Sequence, residues 1–223
     1  MDWQAIRLSL KLAAATTLAL LALGVPLAHW VAFSRARWKF LVEAVVALPL
    51  VLPPTVLGFY LLVAMGPRSP LGWLYEALCR RALPFSFNGL LLASVLYSLP
   101  FAVQPMAASF SAVDRGLLEA SRCLGASPLA TFRRVVLPLS WAGVAAGAVL
   151  SFAHTLGEFG VVLMVGGNIP GETRMVSIAI FDQVQALDYA AAGRTSLCLL
   201  AVSFLVLVLA SWLRRKGTPW LLD

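Results

Sequence analysis

Charge is what this chain has least of. Asp, Glu, Lys and Arg together make up 12% of the 223 residues, only ten of them are acidic, and there are two histidines. A water-soluble domain of this length needs more polar surface than that to cover its core, so the scarcity of charge excludes one. Cysteine is equally sparse. Cys79, Cys123 and Cys198 fall on separate segments and form neither a CxxC nor a Cys/His cluster, which argues against a disulfide framework and against a metal site. A GxxxxGK[ST] phosphate loop is also missing, so no ATP site is expected in this chain. Nor is there an internal repeat, a low-complexity tract or a linker, and the whole of 1–223 is read as one membrane domain.

What the chain does contain is hydrocarbon. It is 61% hydrophobic with a mean hydropathy of +0.88. Windows of about 20 residues, the length that spans a bilayer core, place five spans near 8–33, 40–65, 87–110, 141–165 and 190–213. The first is too long for the apolar region of a secretory signal, and no small-x-small cleavage site follows it, so it is expected to be retained. The fold class expected is therefore all-α, integral to the membrane, with five transmembrane helices.

The net charge of +7 raises the question of nucleic acid, but no basic stripe with interleaved aromatics occurs, and none is expected as a partner. Membrane lipid accounts for the charge instead. The basic segments Arg35-Ala-Arg37-Trp-Lys39, the stretch 119–140 and Arg214-Arg215-Lys216 all fall on one side of the five spans. By the positive-inside rule that side is the cytoplasm, which puts the N-terminus outside and the C-terminus inside. A multi-pass protein of the cytoplasmic (inner) membrane follows.

Proline punctuates the apolar segments. The second span reads LPLVLPPTVLG, with Pro49, Pro53 and Pro54, and the third reads SLPFAVQP, with Pro100 and Pro105. Each proline removes a backbone donor and frees a carbonyl that a neighbouring helix, a hydroxyl or water must satisfy. This reads either as ordinary kinked packing or as a pathway lining, and Thr55 and Gln104 beside the kinks are the polar candidates for the latter. The fourth span carries Gly143 and Gly147 as a GxxxG pair suited to close helix approach. It ends in AHTLGEFG, where a continuous helix would put His154 and Glu158 on one face. That pair reads either as a mutually satisfied lock or as a gate. A third reading, an intramembrane serine protease using Ser151 and His154, lacks a GxSxG-type turn and an oxyanion hole.

Between spans three and four, 111–140 is too polar to cross. Asp114 is placed to cap one short helix, Gly125 to end it, and Ser127-Pro128 to cap and open a second running through Arg134, with Leu137-Pro138 closing the element. The expected product is a helix-turn-helix knuckle on the cytoplasmic side. On physics alone it fits a soluble partner that pushes on it, or an interfacial hairpin whose arginines meet lipid phosphates.

Spacing adds a resemblance. Glu119-Ala120-Ser121, three residues, Gly125, nine residues, then Val135-x-Leu137-Pro138 resembles the EAA motif of ATP-binding-cassette importer permeases, with Ser121 standing where the motif has a second alanine. LPLVLPPTVLG, LGASPLATFRRVVLPLS, LGEFG (156–160) and NIPGETR (168–174) together resemble the permease subunit of molybdate importers; GEFG is shared with sulfate permeases, and NIPGETR is the more molybdate-like piece. The resemblance covers nearly the whole chain and implies a type I importer permease fold. It implies a homodimer with two ATP-binding-cassette ATPase subunits below, which carry the ATP and magnesium, and a soluble periplasmic or lipid-anchored oxyanion-binding protein above. No cofactor and no catalytic residue are expected in this chain.

The implied cargo is molybdate, with tungstate as a variant, sulfate or thiosulfate as the alternative, and a passive anion channel as a rival needing no ATP. The coupling residues implied are Glu119, Ala120, Ser121, Arg122, Leu124, Gly125, Leu129, Leu137 and Pro138. Arg80, Arg81 and Arg174 on the outer side read as docking points for the binding protein, or as ordinary solvated charge.

Overall fold

The computed structural model describes residues 2–216, with side chains through 208. The Arg214-Arg215-Lys216 cluster therefore lies outside the described side chains, and the ends of 1–223 lie outside the described residues. Every regular element among those described is helical.

The first helix, α1 (Trp3–Phe33), starts five residues before the predicted span because Asp2 caps it, its Oδ1 accepting from the Ala5 N–H at 3.0 Å. The predicted span 40–65 is not one helix. It is α2 (Lys39–Val51) and α3 (Pro54–Met65), bent by 115° at Leu52-Pro53. The two consecutive prolines explain it: Pro54 forces the residue before it out of helical geometry while itself starting the next helix well. A short helix on the outer side, α4 (Pro70–Cys79), precedes α5 (Phe87–Ser111), which fills the predicted span 87–110. Pro100 and Pro105 lie inside α5 without interrupting it.

The knuckle comprises α6 (Arg115–Cys123), α7 (Pro128–Thr131), a π turn (Phe132–Val136) and α8 (Leu137–Leu139). The predicted closure at Leu137-Pro138 is corrected here. The chain stays helical through Pro138 and breaks at Ser140, because the wider π register ahead of the proline absorbs its missing N–H. The predicted span 141–165 is likewise split, into α9 (Trp141–Gly157) and α10 (Gly160–Gly166), with Glu158-Phe159 between them. An outer helix, α11 (Val176–Gln185), leads to α12 (Tyr189–Lys216), the last span. Among the described residues three helices are long and apolar enough to cross a bilayer alone, and up to five crossings result when the two bent pairs, α2 with α3 and 128–139 with α9 (bent by 73°), each count as one.

α5 is the axis of the bundle, packed against α1, α9, α2 and α10. In lipid, helix association depends on close fit rather than on escape from water, and the α5–α9 contact is built for it. A Cβ added at Gly147 would stand 2.8 Å from the Ala102 carbonyl oxygen and from Met106 Cε, and one at Gly143 would stand 2.8 Å from the Pro105 carbonyl oxygen. The GxxxG pair therefore lies on the packing seam. Ser140 and Ser109 close its cytoplasmic end, each hydroxyl donating to the other's carbonyl at 3.1 and 3.4 Å. Gly147→Val is expected to force the helices apart at a cost of about 1–3 kcal/mol, read as a lower midpoint in thermal unfolding of the detergent-purified protein.

Candidate functional site: a polar cavity and an exposed knuckle

Two regions concentrate polar chemistry. The first is a cavity of about 630 Å³ among α3, α5, α9 and α10, lined by Thr55, Tyr97, His154 and Glu158 together with the apolar Pro54, Leu163 and Met164. Glu158 is only 5% exposed, and its Oε2 accepts from Ser94 Oγ at 3.0 Å while Oε1 has no protein partner. Ser98 Oγ lies 2.9 Å from His154 Nδ1 and 3.0 Å from Thr155 Oγ1. The imidazole is stacked on Phe101 with centroids 4.0 Å apart, and Tyr97 borders it at 4.7 Å.

Three of the four predicted pathway residues thus meet: Thr55, His154 and Glu158. Gln104 does not join them. It borders a separate cleft between α2 and α5 with Glu43, Val46 and Val103. His154 and Glu158 line the same cavity, as their spacing predicts. Glu158 is the C-cap of α9 (φ −66°, ψ 135°), so the chain leaves the helix just after its side chain, and the pair makes no mutual hydrogen bond among the described contacts. Each instead meets a serine of α5. The freed Glu158 carbonyl accepts from Ser177 Oγ at 2.6 Å, which ties the break to α11. Sequence reasoning missed Ser94 and Ser98, although their i, i+4 spacing on one helix matches that of Glu158 and His154.

Ser151 is fully buried and donates to its own helix, to the Gly147 carbonyl at 2.7 Å. A hydroxyl bound to the backbone in this way is not held against His154, so the structure gives the protease reading no nucleophile–base pair.

The second region is the knuckle. Asp114 Oδ1 accepts from the Gly116 N–H at 2.6 Å and Ser127 Oγ from the Ala130 N–H at 3.3 Å, so both expected caps are present. Between them Gly125 sits at φ +79°, with its N–H donating to the Arg122 carbonyl (2.9 Å) and the Ala126 N–H to the Ser121 carbonyl (3.1 Å). This is the Schellman pattern, which needs a left-handed residue where Gly125 stands. Ser121 adds a link that alanine lacks: its hydroxyl lies 2.9 Å from Thr131 Oγ1 and joins the two short helices. Leu118, Val136 and Phe132 anchor the knuckle to the core, whereas Leu124 and Leu129 stand 88% and 64% exposed at its tip. Glu119 and Arg122 are exposed on α6, Ala120 lies on the same helix, and Leu137 and Pro138 form the root of the second arm.

On the outer side the three predicted arginines differ. Arg174 is engaged, its Nε donating to Asn168 Oδ1 at 2.7 Å and its guanidinium 3.6 Å from Asp182 and 3.9 Å from Asp2. It fastens the 168–174 loop and the start of α1 to α11. The buried Thr173 hydroxyl pins the same loop by donating to the Gly166 carbonyl at 2.6 Å. Arg80 and Arg81 are exposed at the end of α4, and neither makes an ion pair among the described residues. Among the described residues no group of three or more His, Cys, Asp or Glu is placed to hold a metal.

Residues 21–217 match the family described as binding-protein-dependent transport system inner membrane component. The molybdenum transport system permease protein ModB of Azotobacter vinelandii is 55% identical over 206 residues, covering 92% of this chain and 91% of that protein. Its namesake in Escherichia coli K12 is 36% identical over 216 residues, covering 96% and 94%. Among solved structures, a bacterial alginate ABC importer superposes with a TM-score of 0.79 at 16% identity over 96% of this chain and 79% of the other. The inward-facing methionine transporter MetNI gives 0.78 at 15% identity over 98% and 96%. These two establish the fold, that of an ABC importer permease. Taken with the identity along nearly the whole chain, they leave one assignment: the chain belongs to the family of inner membrane components of binding-protein-dependent transport systems, alongside the molybdenum transport system permease proteins, and is a multi-pass permease rather than an enzyme.

Proposed function

We propose that this chain is the membrane-spanning permease of an ATP-driven molybdate importer in the cytoplasmic membrane, with tungstate as an accepted variant. The observation that carries the transport reading is the knuckle, a rigid two-helix element rooted in the core with two leucines bare at its tip. It is the form that a groove on a soluble ATPase subunit would grip. The substrate reading is supported by the names of relatives that align along nearly the whole chain. Two copies would enclose the pathway, with the Thr55, His154 and Glu158 cavities facing a shared axis. Two ATPase subunits would hold the knuckles, and an oxyanion-binding protein would dock outside, where Arg80 and Arg81 are exposed and make no ion pair among the described residues. Alternation between outward- and inward-open states would follow ATP binding and hydrolysis.

The cavity chemistry suits passage rather than storage. It offers hydroxyls, an imidazole and the Glu158 carboxyl group but no Lys or Arg, so a dianion would be stabilised weakly and released readily.

The test is deletion of the gene and measurement of cellular molybdenum by mass spectrometry at nanomolar external molybdate. Molybdenum is expected to fall at least about tenfold with sulfur content unchanged, and to return with the wild-type gene. A fall in sulfur with molybdenum unchanged would assign the permease to sulfate. Uptake that persists after ATP depletion would make it a channel.

A further inference from the structure

A third polar feature lies on the side of the knuckle away from its tip and shares Glu119 and Arg122 with the implied coupling residues. Where α1 ends and α2 begins, their junction faces the side of α6 across a cleft of about 450 Å³. Four cations line it, Arg35, Lys39, Arg115 and Arg122, against one carboxylate, Glu119. Lys39 is partly neutralised by Glu43 at 3.5 Å, one turn along α2. The three arginines have no acidic partner within 4 Å among the described residues. Gathering like charges into one concavity is unfavourable unless an anion occupies it.

The position of the cleft indicates which anion. Its inner wall is the last turn of a transmembrane helix, Ala32 and Phe33, which places it at the level where hydrocarbon gives way to water. Trp30 and Trp38 lie against each other beside it, with centroids 5.0 Å apart, as tryptophans do at a membrane interface. From Lys39, α2 runs into the membrane with Phe40, Leu41 and Val45 exposed. A charged cleft at headgroup level continuing into a bare apolar helix face matches a molecule with a phosphate at one end and an acyl chain at the other. The exposed leucines that suit a soluble ATPase lie elsewhere, at the knuckle tip.

We propose that this cleft is a binding site for an anionic phospholipid of the cytoplasmic leaflet, its phosphate held by Arg35, Arg115 and Arg122 and its acyl chain lying along α2. The lipid would join the membrane entry of α2 to the side of the knuckle, and so brace α6 without blocking its tip.

The full-length chain, purified in detergent, would be titrated with phosphatidylglycerol, phosphatidylcholine or inorganic phosphate and read by native mass spectrometry. Phosphatidylglycerol adducts are expected at concentrations at least about tenfold below those for phosphatidylcholine. The double variant Arg35→Gln/Arg115→Gln is expected to weaken them about 30-fold, at roughly 1 kcal/mol per basic residue near an anionic surface. Arg35→Lys/Arg115→Lys should retain them, which separates charge loss from misfolding. Arg80→Gln/Arg81→Gln, on the opposite side, should leave them unchanged. Equal retention of the two lipids, or no effect of the glutamine pair, would overturn the proposal. Displacement of the lipid by millimolar inorganic phosphate would make the cleft a site for free oxyanion and overturn it as well. So would a glutamine pair that loses its ATPase subunits while holding lipid normally, since the cleft would then belong to the protein interface.

Discussion

Gly125→Pro is expected to abolish molybdate uptake, with a loss of more than about tenfold, while the protein still reaches the membrane. The argument starts from one backbone angle. At φ +79° Gly125 turns the chain out of α6, and its N–H caps the Arg122 carbonyl at 2.9 Å. Proline holds φ near −65° and has no N–H, so the left-handed turn and the cap are lost together. The damage stays local, because a Cβ at this position would meet nothing within 4 Å and no core contact is broken. What changes is the direction of the second arm, and with it the relation between Leu124, Leu129 and the root at Val136. Gly125→Ala separates the two effects. Alanine keeps the N–H and pays only the left-handed penalty of about 1–2 kcal/mol, so it is expected to retain most of the uptake. Initial rates in cells carrying each variant at matched membrane abundance provide the measurement. Full uptake with Gly125→Pro would mean that the knuckle does not transmit the work of ATP hydrolysis.

The knuckle was legible in the sequence because its signals are local. Asp114, Gly125 and Ser127-Pro128 each act through their own backbone or a neighbour's, and each stands in the expected role. The five apolar segments were legible for a similar reason, since hydropathy is summed along the chain. The interruptions were not. Whether a proline breaks a helix depends on what surrounds it: Pro100 and Pro105 sit inside an unbroken α5, while Pro53-Pro54 ends one helix and starts another at 115°. The break at Glu158 carries no proline at all. It is held by Ser177 from α11 and Ser94 from α5, both distant in sequence, so nothing local announced it. The same distance kept Gln104 apart from the cavity and hid the role of Arg174, whose partners lie at Asp2 and Asp182.

Glu158 carries the second large effect, and its two replacements are expected to diverge. Glu158→Ala should cut the initial rate of radiolabelled molybdate uptake into proteoliposomes by more than about tenfold, whereas Glu158→Gln should leave it near the wild-type rate. Alanine removes the acceptor of the fully buried Ser94 hydroxyl, and an orphaned buried donor costs about 1–3 kcal/mol. It also removes a side chain that lines the cavity. Glutamine keeps the shape and the oxygen that accepts from Ser94. Its amide nitrogen takes the buried place of Oε1, which already has no protein partner, and the exchange removes a negative charge that would repel an oxyanion in the neighbouring cavity. The site asks for a hydrogen-bonding group of this size, and the comparison tests whether it also asks for a charge. Glutamine as inactive as alanine, with both variants folded and assembled, would show that the carboxylate itself is required and that Glu158 works as a charged latch on the helix break rather than as a wall of the pathway.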